Sequence, residues 1–398
     1  MRILFVRTYC PHSINYGSEM RASRFVDYLR RKGEVDLLTM TSPSGHADIN
    51  YIERHFRRHY HFNQKGNPRR LTRLEKLRHL LPWQITGHYA KDFQQELNAI
   101  VEENQYDLIF VFKLEPVFYF LQLPAKWRQR TVVDYDDFLS DIYKNHYRNI
   151  FTAYKNSYSL MLYQHKALVR FKRIFVCARE ALLKVPGSWR HKAGVIPNVF
   201  NVDPKGFYAE PGPKNRLLFI GSLDYFPNID GLKWFCRDIW PGFHEKHPNS
   251  ILTVVGKTRN DAEHVRSLFN HPENLEVAVN VPSTLPYYQN CFASVVPLLN
   301  GSGTRLKILE SAAYGRPVLA TSKGMEGLNF EDGKNIFIFK NSRSFLNAYE
   351  SLLDEERYRN VTRSAFTVLE DQYSPEAFTE CMDENWNMMV DSQQRLKE

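Results

Sequence analysis

Apolar residues in this chain fall into short unbroken runs separated by longer stretches in which they recur every three or four positions. Short runs suit strands buried on both faces, and the amphipathic stretches suit crossover helices, so the pattern predicts mostly parallel sheets with helices on each side. The series occurs twice. The first places strands at 2–6, 35–40, 108–112, 131–134, 174–177 and 194–196, with helices at 19–31, 90–104 and 141–169. The second places strands at 216–220, 251–255, 275–277, 293–297, 317–320 and 336–339, with helices at 229–239, 261–269, 306–314, 342–353 and 355–370. Between the two, 203–215 carries Pro204, Gly206, Pro211, Gly212 and Pro213 and little apolar period, which reads as a linker. A last helix is predicted at 375–390, with Ser374 as its cap and Pro375 at its first position.

The expected architecture is therefore α/β. Two Rossmann-like domains, 1–202 and 203–374, face each other across a cleft, and a terminal helix and tail, 375–398, return to the first domain. A length of 398 residues suits two domains, and 43% hydrophobic with 24% charged residues excludes a disordered or collagen-like chain. Cys10, Cys177, Cys236, Cys291 and Cys381 are odd in number and widely spaced, with no C-x-x-C pair. They indicate neither a disulfide framework nor a zinc site and fit a reducing, cytoplasmic setting. The apolar run at 3–6 is too short for a signal-peptide core, and Lys113, Glu115 and Pro116 interrupt 108–123, so no membrane span is expected.

Ligands of parallel sheets bind beyond the carboxyl ends of the strands, and there one stretch stands out. Leu298-Leu-Asn-Gly-Ser-Gly-Thr-Arg-Leu-Lys-Ile-Leu-Glu310 leads from a strand through a small-residue loop into a helix. Gly301 and Gly303 let the backbone approach a ligand closely, and free amides at the helix start then favour an anion such as phosphate. Arg305 and Lys307 add positive charge where acidic residues are usual, a local violation that a bound anion would offset. Glu310 lies near the edge of the same face, where a carboxylate can accept from sugar hydroxyls. The spacing is neither a Walker loop nor the dinucleotide fingerprint.

These residues carry a resemblance. The C-terminal half resembles a glycosyltransferase of the GT-B fold, family GT4, and most closely its bacterial surface-polysaccharide branch. The matching segments are Leu218 to Tyr225 with Pro227-Asn228-Ile229-Asp230-Gly231, then Val254-Val255-Gly256-Lys257, Gly301 to Glu310, Gly315-Arg316-Pro317-Val318 and Gly324-Met325-Glu326-Gly327-Leu328. The N-terminal half is similar more loosely, through the first strand and Gly17, Asp134-Tyr135-Asp136-Asp137 with Ser140, and Ile196-Pro197-Asn198. The resemblance implies transfer of a sugar from a UDP- or GDP-linked donor, held by the C-terminal domain, to a saccharide or lipid-linked saccharide held by the N-terminal domain. It implies retention of anomeric configuration, no bound metal and no cofactor beyond the nucleotide-sugar co-substrate.

Carried over by position, Gly221 and Ser222 approach the donor, Lys257 lies beside it, and Val281 with Pro282 meets the base. Gly301, Ser302 and Gly303 form the loop, Thr304, Arg305 and Lys307 hold the pyrophosphate, and Glu310 contacts the ribose. Glu310 is the second glutamate of the family's E-x7-E pattern; Ser302 occupies the first. The Arg and Lys that many members carry after the first C-domain strand are also missing, so Arg305 and Lys307 are the catalytic cations expected to stabilise the leaving phosphate. On the acceptor side the candidates are His12, Gly17, Asp136 and Asp137. His12 reads equally as an exposed loop residue, and one of the two aspartates reads as the cap of the following helix while the other faces an acceptor hydroxyl. Glu115 is expected to pair locally with Lys113. Trp234, Phe235 and Trp240 read as core, and Tyr287-Tyr288 as packing rather than stacking on a base.

Charge adds one feature. The net charge is +9, yet the segment from Arg54 to His79 alone carries seven Arg, two Lys and one Glu, so the remainder is nearly neutral. Within it Leu71, Leu74, Leu77, Leu80 and Leu81 share one helical face while Arg70, Arg73, Lys76 and Arg78 lie off it, and Trp83 follows. Such a basic amphipathic helix suits the anionic cytoplasmic face of a membrane, and it equally suits a helix docked on the domain with a wet basic side. Nucleic acid is the weaker partner, because no recognised binding motif accompanies the patch and the glycine loop would go unexplained. A GT-B-type nucleotide-sugar epimerase or hydrolase is the alternative enzyme.

Overall fold

The computed structural model describes residues 1–9, 11, 17–40, 48–62, 91–136, 150–201, 207, 210–269, 274–301 and 305–394, without the side chains of 91, 150, 152, 153 and 387–394. Two compact units result, Met1–Ile196 with Thr379–Glu398, and Pro197–Phe378. The division falls a few residues before the breaker-rich segment that the sequence marks as the linker.

In the first unit β1 (Arg2–Arg7), β2 (Glu34–Thr39), β3 (His59–His61), β4 (Leu108–Phe112), β5 (Thr131–Asp134), β6 (Arg173–Val176) and β7 (Ala193–Val195) form one sheet. Its order is β3-β2-β1-β4-β5-β6-β7, and every pairing is parallel. Ile3 lies opposite Val35 on one side and Leu108 on the other, and Ile3 to Val6 have no exposed surface, as expected of strands covered on both faces. The short edge strand β3 is missing from the sequence reading because it has no apolar run. It holds instead through backbone pairing with β2 and through Thr39, whose hydroxyl lies 2.8 Å from His59 Nε2 and 2.8 Å from His61 Nδ1.

The second unit repeats the plan with β8 (Arg216–Ile220), β9 (Ile251–Gly256), β10 (Leu275–Val279), β11 (Ala293–Val296), β12 (Val318–Ala320) and β13 (Phe337–Ile338), in the parallel order β10-β9-β8-β11-β12-β13. The helix expected at 229–239 is longer and interrupted. It starts at Phe226 with Pro227 in the first turn, where a missing N–H costs nothing, passes through a π turn at Phe235–Ile239, and resumes at Trp240–Lys246. Pro241 explains the interruption, since it offers no N–H to the preceding turn. Phe235 and Trp240 are buried in the core of this unit, and Tyr288 is buried as well.

The terminal helix Pro375–Gln394 returns to the first unit, as expected. Asp383 accepts from Tyr28 Oη and Lys32 Nζ, each at 2.7 Å, and Asn385 accepts from Arg173 Nη2 at 2.6 Å. Trp386 meets the Tyr28 ring edge-on at 6.0 Å. Among the described residues no helix is long and apolar enough to cross a membrane.

Candidate active site

Within the second unit β8 and β11 are neighbours, with β9 and β10 on one side and β12 and β13 on the other. The chain therefore leaves these two strands toward opposite faces, which opens a crevice at their carboxyl ends. Gly221 follows β8 and Gly301 follows β11. The helix Leu306–Ala313 begins there with no acidic residue in its first turn. Arg305 is its N-cap, directly before the first turn, and Lys307 stands one residue inside.

Lys307 reaches back across the crevice. Its ammonium donates to Asn228 Oδ1 at 2.8 Å and lies 4.2 Å from the centre of the Phe219 ring. Asn228, itself buried, donates from Nδ2 to the Ser222 carbonyl at 2.7 Å, so it fixes both the lysine and the loop after β8. Gly221 makes room for this arrangement: a Cβ there would lie 2.7 Å from Lys307 Nζ and 2.8 Å from Asn228 Nδ2. Gly301 has φ +107°, a conformation open to glycine, and its missing Cβ faces the two terminal nitrogens of Arg305 at 3.4 Å. Each glycine is thus matched to one cation.

Enclosure, and secondarily the charge of Arg305, lowers the Lys307 pKa to about 7, with Glu310 opposing. An anion placed between the two cations would raise it again. Burial pushes the Glu310 carboxyl up, against hydrogen bonds from Thr284 and Tyr288 and the charge of Lys307. Thr284 Oγ1 donates to Glu310 Oε1 at 2.6 Å. The site therefore offers two cations, a held carboxylate and close backbone approach, the set that binds a phosphorylated, hydroxyl-bearing ligand.

The remaining donor-side candidates line the same strand ends. The Ser222 side chain is exposed, Lys257 is half-buried and its carbonyl accepts from Leu223 N at 2.9 Å, and Val281 packs against Leu218, Val255, Tyr288 and Cys291. Ser302, Gly303 and Thr304 lie outside the described residues. The loops after β8, β9 and β10 are tied together by Thr258 and Asn280, which sequence reasoning passed over. Thr258 donates from Oγ1 to Asp224 at 2.7 Å and from its amide to Asn280 Oδ1 at 3.1 Å, joining the ends of β8, β9 and β10. Asn228, Phe219 and Thr284 were likewise missed as site residues, although Asn228 stands in a segment that carries the family resemblance.

In the first unit Gly17 opens the helix Gly17–Lys32, and His12 and Asp137 lie outside the described residues. Asp136 has φ +56° and stands 3.7 Å from Arg21 Nε. Arg21 is buried and holds Asp134 with two hydrogen bonds of 2.9 and 2.6 Å, while its Nη1 donates to the Ile196 carbonyl at 2.8 Å. The expected Glu115–Lys113 pair is not formed. Lys113 has φ +71° and its ammonium lies over the Phe112 ring at 5.8 Å, whereas one Glu115 oxygen is buried without a hydrogen bond among the described residues.

Residues 214–355 match the family model described as "Glycosyl transferases group 1". An uncharacterized 44.6 kDa protein in the cps region of Klebsiella pneumoniae is 22% identical over 404 residues, spanning 96% of this chain and 100% of that one. Sucrose-phosphate synthase from Thermosynechococcus elongatus superposes with a TM-score of 0.71 at 16% identity, over 98% of this chain and all of that one. Anabaena HepE, solved in complex with UDP and glucose, superposes with a TM-score of 0.68 at 13% identity, again over 98% of this chain and 100% of that one. Residues 214–355 are thus a glycosyl transferases group 1 domain, in a chain whose two parallel-sheet Rossmann-like units have the fold of GT-B glycosyltransferases.

Proposed function

We propose that this protein transfers a hexosyl group from a nucleotide diphosphate sugar to a saccharide or lipid-linked saccharide in bacterial surface polysaccharide synthesis. The observation that carries the reading is the pair of cations, Arg305 beside Gly301 and Lys307 held by Asn228 against Phe219, converging on one crevice. The HepE complex with UDP and glucose favours UDP as the nucleotide, and the relative in a cps region favours a surface polysaccharide. Departure of the nucleoside diphosphate builds charge on phosphate oxygens, and fixed cations are placed to receive it. The reaction retains configuration and needs no metal, with Arg305 and Lys307 in the part a divalent ion plays elsewhere. Asp136, Asp137 and His12 receive the acceptor, and 54–79, of which only 54–62 are described, bring the protein to the cytoplasmic face of the membrane. Activity that persists in EDTA and an α-linked product from an α-linked donor check the last chemical steps.

A thermal-shift panel of nucleotide sugars tests the donor. A matched UDP-sugar at a hundred times its Kd should stabilise the fold by about 2.7 kcal/mol. Stabilisation by no nucleotide sugar would overturn the reading, and turnover without any acceptor would convert it to hydrolysis or epimerisation. Gly221→Ala should weaken UDP-sugar binding about tenfold at a cost of ~1–3 kcal/mol in stability, because its Cβ displaces Lys307 and Asn228. Calorimetry on the folded variant with unchanged Kd would show that the lysine position is immaterial.

The Lys307 titration gives a pH signature. Free Lys307 has a pKa of about 7 and a bound pyrophosphate raises it, so binding takes up a proton above that value. UDP-sugar affinity should therefore be flat below pH 6 and fall by up to about tenfold per pH unit above 7, until the bound pKa is passed. In Lys307→Met this slope should vanish.

A further inference from the structure

The helix Ile150–Arg170 turns an aromatic face to solvent. Phe151, Tyr154, Tyr158 and Val169 are 85, 62, 60 and 43% exposed, and Leu162 between them is half-buried. At 100° per residue these five side chains fall within about 80° of arc. The opposite arc, with Leu160, Tyr163 and Ala167, is buried in the core of the first unit. A water-facing helix normally reverses this pattern, placing charges outward, so a large exposed apolar stripe marks a contact surface.

Among the described residues the charge beside the stripe is of one sign. From residue 150 to 172 there is no Asp or Glu, while Lys155, Lys166 and Arg170 lie along one flank of the stripe and Lys172 follows. Two described segments that pack against this helix, Val117–Leu121 and Gly187–Lys192, contain no acidic residue either. Lys192 extends the basic flank: its ammonium donates to the Val169 and Phe171 carbonyls at 3.0 and 3.1 Å and lies over the Trp189 ring at 5.3 Å. A second copy of this face would bring lysines against lysines. Single-stranded nucleic acid would find aliphatic Leu162 and Val169 where a run of stacking rings is needed.

We propose that the Phe151–Tyr154–Tyr158–Leu162–Val169 face of this helix lies on an anionic lipid bilayer, its rings at headgroup depth and its lysine flank on the lipid phosphates. Interfacial helices combine these two features, an apolar arc that enters the headgroup boundary and basic residues drawn to anionic lipid. The surface is separate from 54–79 and contains no donor-site residue, so its failure would leave the sugar-transfer reading standing.

Flotation of the full-length protein with phosphatidylcholine vesicles, with and without phosphatidylglycerol, tests it. Wild type should float with the anionic vesicles and far less with the neutral ones. The triple variant Phe151→Ser/Tyr154→Ser/Tyr158→Ser should lower the anionic partition coefficient at least about tenfold, with UDP-sugar binding intact. Lys155→Glu/Lys166→Glu should do the same should the triple variant fail to fold. Wild-type partition in these variants, equal binding to both vesicles, or no binding to either would overturn the proposal. So would a dimer in sedimentation velocity that the triple variant abolishes, or capture by a single-stranded oligonucleotide in place of vesicles.

Discussion

Alanine at Lys307 or Arg305 should lower kcat/KM by ~2–4 kcal/mol of transition-state stabilisation, roughly 30- to 1000-fold, with kcat carrying most of the loss. Charge on the leaving phosphate is greatest in the transition state, so a cation that meets it there affects kcat more than KM. The two variants should differ in pH dependence. Arg305 helps to lower the Lys307 pKa, so removing it leaves a more basic lysine that stays charged to higher pH. Arg305→Ala should therefore shift the alkaline limb of the rate profile upward, whereas Lys307→Ala should erase that limb. Above pH 7 the double variant should lose more than the sum of the singles, because the more basic lysine that offsets part of the loss in Arg305→Ala is absent from it. Near wild-type turnover in both single variants would remove the proposed roles, and equal profiles in both would show that the coupling between them has no part in the reaction.

These roles were open to sequence reasoning because they rest on local chemistry. A glycine loop after a strand, followed by two cations where acids are usual, is a contradiction visible in 298–310 alone. Asn228 was not visible in the same way. Its amide matters only because the fold brings it within 2.8 Å of Lys307, 79 positions away, a consequence of adjacent β8 and β11 that no local pattern encodes. The strands were legible where burial on both faces forced an apolar run, and β3 was lost where side-chain hydrogen bonds stand in for one. Glu115 failed for the opposite reason. Proximity in sequence suggested Lys113 as its partner, but the left-handed turn at Lys113 accompanies a lysine seated over Phe112 instead. Arg21 went unnoticed as one more basic residue in an amphipathic helix, since its partner is 113 positions on.

That arginine carries the largest expected effect on stability. Arg21 and Asp134 are 1% and 0% exposed at their side chains and joined at 2.6 and 2.9 Å. Burial pushes the Asp134 carboxyl up, with Arg21 opposing; burial also works against the arginine's charge, yet Asp134 outweighs it and the guanidinium pKa is raised. Bidentate geometry thus keeps the pair ionised. Arg21→Ala leaves a buried carboxylate without its counter-ion and frees the Ile196 carbonyl, so it should cost ~3–5 kcal/mol in urea unfolding of the first unit. Arg21→Met with Asp134→Leu, which removes both charges, should recover most of that loss, since an apolar pair of similar volume avoids the desolvation cost altogether. The double variant also separates structure from function. Asp136 stands 3.7 Å from the same guanidinium in a left-handed conformation that costs a non-glycine residue energy, so Arg21 holds it as well as Asp134. If Asp136 receives the acceptor, the double variant should fold and bind UDP-sugar while its acceptor KM rises. A double variant with wild-type acceptor KM would leave Arg21 a role in stability alone, and one that unfolds as readily as Arg21→Ala would show that the site cannot repack without its charges.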